Sequence, residues 1–161
     1  MTIRTYPRMW IKGLALALIL GCCSPLGAYE KGVQVQILLK TQTDSIGRPH
    51  QYLRTDRPEV IAALVDIAPG ARTGWHLHWF PVYAYVLSGT LQVELEDGRT
   101  SVFKQGQAIV EVQKLSHNGR NIGPDPVRLI VFYTGEAGQT PSVTTPRADQ
   151  DRGQSPPGTG D

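Results

Sequence analysis

The chain has 161 residues, 40% of them hydrophobic, and a formal net charge of +2. This length suits one domain with a substantial core rather than two domains. Arg4, Arg8 and Lys12 are the basic residues before Ala28, and beyond Ala28 the remaining 13 basic residues face 14 acidic ones. A nearly neutral body without a basic stripe argues against nucleic acid as a partner.

The first 28 residues have the pattern of a secretory signal: a basic front, the apolar run 13–23, and small residues up to Ala28. The apolar run is shorter than the roughly 20 residues of a membrane-spanning helix. Residues 18–22 also resemble a bacterial lipobox, in which Cys22 would carry a lipid. We therefore expect a periplasmic or secreted protein that meets the membrane only through its leader or a lipid anchor.

Both cysteines of the chain, Cys22 and Cys23, lie in this leader. A protein cleaved after Ala28 would have no disulfide framework and no thiolate ligand for a metal. Any metal ligands in the body must therefore come from histidine, carboxylate or backbone groups.

The body, residues 29–138, is predicted to be a single domain of short β-strands joined by tight turns. The whole chain has 17 glycines and 12 prolines, and they recur at short intervals. Alternation or short apolar runs predict strands over 33–37, 60–67, 82–87, 91–95, 100–103, 108–112 and 127–133. Residues 41–58 are predicted to be a loop. The polar, Gly- and Pro-rich residues 139–161 are predicted to be a disordered tail.

Two of the four histidines, His76 and His78, stand one residue apart in a segment that reads as a strand. Residues two apart on a strand project to the same side. If that side faces inward, two neutral imidazoles converge, and a divalent metal is the usual reason for such an arrangement. His117 and Glu111 are the candidates for a further ligand, whereas His50 lies in the predicted loop and reads as exposed.

The chain resembles the cupins. The first cupin signature, G-x5-H-x-H-x3-E-x6-G, matches Gly70, His76, His78 and Gly89 at every spacing, with Val82 at the glutamate position. The second signature, G-x5-P-x-G-x2-H-x3-N, matches at three positions and departs at the proline and the second glycine. The matching residues are Gly106, His117 and Asn121, and the departures are Val112 and Lys114.

The resemblance implies an all-β fold, the cupin jelly roll or double-stranded antiparallel β-barrel. It also implies that His76, His78 and His117 bind a divalent transition metal (Fe, Mn, Zn or Ni) in the mouth of the barrel. Val82 cannot coordinate, so three neutral histidines would leave positions open to water, dioxygen or an anionic substrate. Three-histidine centres, such as those of thiol dioxygenases, occur among cupins.

The role of Glu111 stays open at this point. If Val110 and Val112 face the core, strand parity turns Glu111 towards solvent, unless a bulge intervenes. An inward Glu111 could replace the lost carboxylate as an additional ligand. An acid within such an apolar stretch is costly to bury without a purpose.

The residues around the motif are candidates for a substrate pocket. Trp75, Tyr83 and Tyr85 could stack against a planar or sugar ligand, or could simply pack in the core and rim. Arg120 could pair with an anionic ligand, or could be an ordinary surface charge.

Three functions remain in competition. The first is a metal-dependent enzyme acting on a small molecule, with dioxygenation or isomerisation as the leading reaction types. The second is a non-catalytic module that binds a small ligand in the cell envelope. The third is a cupin whose main role is to form a homodimer through an edge strand over residues 33–39.

Overall fold

The structure, a computed structural model, describes residue 30 and residues 32–146 and divides the chain into two units, residues 1–36 and residues 37–161. The predicted leader, residues 1–28, lies outside the described residues. In the part of the chain that is described, no helix has the length and hydropathy needed to cross a membrane.

The second unit is built from two antiparallel sheets, so the predicted all-β class is confirmed. The strands are β1 Pro58–Ile67, β2 His76–Leu77, β3 Val82–Ser88, β4 Thr90–Leu95, β5 Thr100–Lys104, β6 Ala108–Val110, β7 His117–Asn121, β8 Val127–Glu136 and β9 Val143–Thr144. One sheet has the order β1-β8-β3-β6 and the other has the order β5-β4-β7-β2-β9. Six of the seven predicted strands are present, with ends shifted by a few residues.

The core combines inward side chains from both sheets. Along β3 the buried positions alternate, so Val82, Ala84 and Val86 point into the core while the tyrosines between them point away. Leu91 of β4 joins the same cluster from the other sheet. Val82, at the position of the missing glutamate, is therefore a fully buried packing residue.

The strand predicted over residues 33–37 is absent. This segment is irregular, pairs with no strand among the described residues, and leaves Val33, Val35 and Ile37 exposed. Alternation alone does not form a strand, because the backbone hydrogen bonds require a neighbour. The homodimer stays a prediction. The edge strand expected to form it, over residues 33–39, is not a strand in the structure.

The prediction of a disordered tail from residue 139 placed the start of the tail too early. Val143 pairs with Leu77 and Thr144 pairs with His76, so part of the segment is the edge strand β9. Composition predicted disorder because few apolar residues are present, but backbone pairing with β2 orders the segment without a large apolar contribution. We call residues 139–146 the C-terminal strap. Residues 147–161 lie outside the described residues.

We expect Gly89→Ala to destabilise the protein by about 3 kcal/mol, through overpacking together with backbone strain. Gly89 has φ +81°, and a Cβ there would lie 2.8 Å from both the carbonyl oxygen of Pro126 and Cα of Val127. Gly98 is a matched control, because it has φ +85° but no atom within 4 Å of the added Cβ. Gly98→Ala should cost only about 1 kcal/mol. Urea unfolding measures both, and equal losses would contradict the steric explanation.

Candidate metal centre

The pairing of β2 with β7 brings the third histidine to the first two. In this antiparallel pair His76 lies directly opposite His117, although 41 positions separate them in the sequence. His78 follows the end of β2 and projects to the same side as His76. The predicted trio therefore meets in space. His117 begins strand β7.

The three imidazoles are close together and shielded from water. Their ring centroids lie 4.4 Å apart for His76 and His117, 5.0 Å for His76 and His78, and 5.1 Å for His78 and His117. One ring nitrogen from each lies within 4.8 Å of those of the other two. His78 and His117 are only 2% and 3% exposed, and His76 is partly buried. The three histidines are close enough to bind a metal.

Each ring is fixed in the same tautomer by a backbone carbonyl. Nδ1 of His76 donates to Gly74 at 2.8 Å, Nδ1 of His78 donates to Pro141 at 2.8 Å, and Nδ1 of His117 donates to Leu115 at 2.9 Å. A carbonyl only accepts, so the proton must be on Nδ1. In a neutral ring the lone pair is then on Nε2, whereas His78 hydrogen-bonds Glu111 through Nε2 only when both of its nitrogens carry protons. Carbonyls that orient histidines in this way are typical of metal sites.

Nε2 of His117 provides a direct test of whether a metal fits. It is a buried polar atom that makes no hydrogen bond of normal geometry within the described residues, and the nearest carboxylate oxygen, Oε2 of Glu111, lies 3.4 Å away. A buried nitrogen left in this state costs free energy, and a cation among the three imidazoles would satisfy it. The donor set of imidazoles and a nearby carboxylate also suits a first-row transition metal.

Glu111 is the carboxylate beside these rings. Its Oε2 lies 3.1 Å from Nε2 of His78 and 3.4 Å from Nε2 of His117, and its side chain is 20% exposed. Of the two directions that the sequence left open for Glu111, the structure has the inward one. Ile109 and Glu111 both line the cavity that contains the histidines. Strand β6 ends at Val110, and since Ile109, Val110 and Val112 are all buried, apolar character does not reveal which face is inner.

The charges of the metal-free site reflect this contact. Burial alone would raise the pKa of Glu111, but the close approach of His117 and His78 lowers it by more. Burial lowers the pKa of His78, but its hydrogen bond to Glu111 and the charge of Glu111 outweigh burial and raise it overall. Burial, together with repulsion from His117, lowers the pKa of His76 to about 4. The carboxylate is therefore ionised and His76 neutral at pH 7.

The histidines and Glu111 line a cavity of about 70 Å³ that opens to solvent. Aliphatic side chains such as Ile67, Leu91 and Val131 form most of the remaining wall. Tyr133 also lines it, with its ring centroid 5.8 Å from that of His78. Burial and the charge of Glu111 raise the pKa of Tyr133, so its hydroxyl keeps its proton at neutral pH.

None of the four predicted substrate-pocket residues lines this cavity. Tyr83 hydrogen-bonds His50 at 2.8 Å, and Tyr85 projects from β3 on the same side as Tyr83, away from the core. Arg120 is exposed on β7. Trp75 lines a wider opening next to the cavity, so it is the one member of the set near an entrance. Within the described residues, these side chains therefore do not form a stacking wall in the cavity, and the alternative of packing elsewhere holds for Tyr83 and Tyr85.

Sequence reasoning missed two contributors. The Pro141 carbonyl, which holds His78, belongs to the C-terminal strap, and Tyr133 belongs to β8. A backbone carbonyl carries no side-chain signal, and Tyr133 reads as an ordinary strand residue. Only the tertiary pairing places either of them near the histidines.

We expect truncation after Gly138 to reduce metal affinity by about 10- to 100-fold, the usual effect of losing a group that orients a ligand. The truncation removes the Pro141 carbonyl and the β9 pairing opposite His76. The control ends after Pro146 and keeps the whole strap. Competition with a fluorescent chelator measures affinity, and circular dichroism checks the fold. Equal affinity in the two truncated proteins would refute this role.

Comparison with known proteins identifies a protein family that agrees with the fold and the site. Residues 63–133 match the family described as the cupin domain. The two antiparallel sheets and the histidines of both cupin signatures agree with this match. Residues 63–133 therefore have the features of a cupin domain. A search of the curated proteins found no match.

Solved structures similar to this chain include several cupin enzymes. An oxalate decarboxylase variant from Bacillus subtilis is 26% identical with a TM-score of 0.44, and the match covers 48% of this chain and 22% of that one. A polyketide cyclase from Streptomyces resistomycificus is 25% identical with a TM-score of 0.43, covering 47% and 54%. A putative sugar phosphate isomerase from Acidithiobacillus ferrooxidans is 25% identical with a TM-score of 0.40, covering 45% and 48%. The match thus spans about a fifth of the decarboxylase.

Proposed function

We propose that this cupin is a metal-dependent enzyme that acts on a small molecule, with His76, His78, His117 and Glu111 as the protein ligands. The observation that carries the proposal is the meeting of three imidazoles whose ligand nitrogens lie within 4.8 Å of one another, among them a buried Nε2 of His117 that makes no hydrogen bond of normal geometry within the described residues. Such an atom costs free energy unless a ligand binds it. Three hydrogen bonds to backbone carbonyls orient the rings before any ligand arrives.

The proposed ligand set favours a six-coordinate metal such as iron, manganese or nickel. A tetrahedral zinc ion would be closed by four protein ligands, as in structural zinc sites. A six-coordinate ion would keep two positions for a substrate. When bound there, the metal would supply Lewis-acid or redox chemistry, which suits dioxygenation or isomerisation. The aliphatic walls exclude water, and the hydroxyl of Tyr133 can donate a hydrogen bond to the substrate.

The leader supports a second part of the proposal, which is export to the cell envelope. Its basic front, apolar run and small residues are the pattern that secretion recognises. Sequencing the N-terminus of the mature protein from an envelope fraction tests this. A mature chain that still begins at Met1 in the cytoplasm would refute it.

Metal analysis tests the function itself. Protein purified without chelators should contain about one transition-metal ion per chain. After removal of the metal it should again bind one equivalent of Mn²⁺ or Fe²⁺ in a calorimetric titration. Oxygen consumption and product analysis with a panel of small phenols, thiols, ketones and sugars then separate oxygenation from isomerisation. Protein that contains no metal and binds none back would end the proposal.

A further inference from the structure

The wall of the metal cavity carries information about the ligand beyond the metal itself. Apart from the proposed ligands, its side chains are mainly aliphatic, contributed by β1, β4, β6 and β8 of both sheets. Its other polar side chains are the uncharged Ser45, Thr73 and Tyr133. Within the described part of the chain, no lysine or arginine lines this cavity.

Arg72 is a cation at the entrance of the cavity, but it does not line the cavity itself. It lines the wider opening that shares Thr73, His76 and Tyr133 with the cavity. Its guanidinium lies 3.8 Å from the carboxylate of Glu94. A second negative charge on a ligand inside the cavity would therefore meet aliphatic carbon rather than a cation.

The net charge of the site also disfavours a ligand with two negative charges. A dication next to the carboxylate of Glu111 leaves a single positive charge, which one anionic head group neutralises. A second carboxylate would make the buried site negative without a compensating partner, and burying an unpaired charge is costly.

From the wall and the charge together, we propose that the ligand has one oxygen head group, neutral or singly negative, on an apolar body, and that dicarboxylates are excluded. This inference rests on the proposed metal centre, which supplies the positive charge for the head group. The aliphatic wall takes the apolar body. Ser45, Thr73 and Tyr133 can donate hydrogen bonds to an oxygen of the ligand, but none of them supplies a positive charge to balance a second carboxylate.

Pentanoate and glutarate are a matched pair of probes, because they have the same five carbons and differ by one terminal carboxylate. In calorimetric titrations of metal-loaded protein, pentanoate should bind at least about 30-fold more tightly than glutarate, because burial of the unpaired carboxylate is unfavourable. Equal affinity, or tighter binding of glutarate, would overturn the inference while leaving the metal proposal intact. Protein that takes up no metal would overturn both.

Placing a cation in the wall tests the cause of the preference. Val93 is half-buried and lines the cavity from β4, so Val93→Lys should raise the affinity for glutarate relative to pentanoate by at least about tenfold. Val65→Lys, also in the wall, is a second variant if the first does not fold. If both fold and keep their metal without changing the ratio, the explanation by wall charge is wrong.

Discussion

Replacing His117 with alanine should reduce metal affinity by about 100-fold or more and lower the metal content well below one ion per chain. Binding free energies of about 10–16 kcal/mol spread over four ligands correspond to about 3 kcal/mol for each. His117 also sits opposite His76 in the sheet, so its removal leaves the other two rings without their partner across the strands. Metal analysis and competition with a chelator measure the loss.

The stability of the metal-free form distinguishes a ligand from a packing residue. A buried Nε2 without a partner already disfavours the metal-free fold, so His117→Ala should cost it little beyond the lost packing. The added metal, however, should no longer raise the melting temperature, because that increase depends on binding. His50→Ala is the matched control, since His50 bonds Tyr83 outside the cavity. Normal metal content in the His117 variant would contradict the proposed centre.

Replacing Glu111 with glutamine should lower metal affinity by about 100-fold while leaving the three histidines in place. Glutamine keeps the shape of the side chain but removes the negative charge that attracts a dication, in a partly buried site where charges are weakly screened. A calorimetric titration of the stripped protein measures the change. Glu59→Gln is the control, because Glu59 is exposed on β1.

The metal-free variant gives an independent measure of the same contact. Glu111 raises the pKa of His78 through a hydrogen bond and its charge, against the opposing effect of burial. In the glutamine variant, the negative charge that raises the pKa of His78 is gone, while burial still lowers that pKa. His78 should therefore titrate at lower pH than in the native protein. Nuclear magnetic resonance of the imidazole protons follows this titration. Unchanged metal affinity together with an altered His78 titration would show that Glu111 contacts the histidine without binding the metal.

The cupin signatures were informative because each ligand type occupies a fixed spacing. His76 and His78 lie two apart near a strand, and His117 stands at the expected distance in the second signature. The structure brings all three together, as the resemblance implies. The strands over 60–67, 82–87 and 91–95 were also readable, since each combines apolar alternation or a short apolar run with a turn signal.

The features of the fold and the site that the sequence did not predict depended on which distant segments pair. Period-2 alternation predicted a strand at residues 33–37 that has no partner, and polar composition hid the edge strand Val143–Thr144. Apolar residues on both sides of Glu111 left its direction undetermined, and the aromatic residues next to the motif pointed away from the cavity. The sequence by itself determined the strand-rich class and the chemical type of the candidate metal ligands. Only the tertiary structure decided that Glu111 faces the histidines and that the C-terminal strap holds His78, because backbone pairing between remote segments leaves no local pattern.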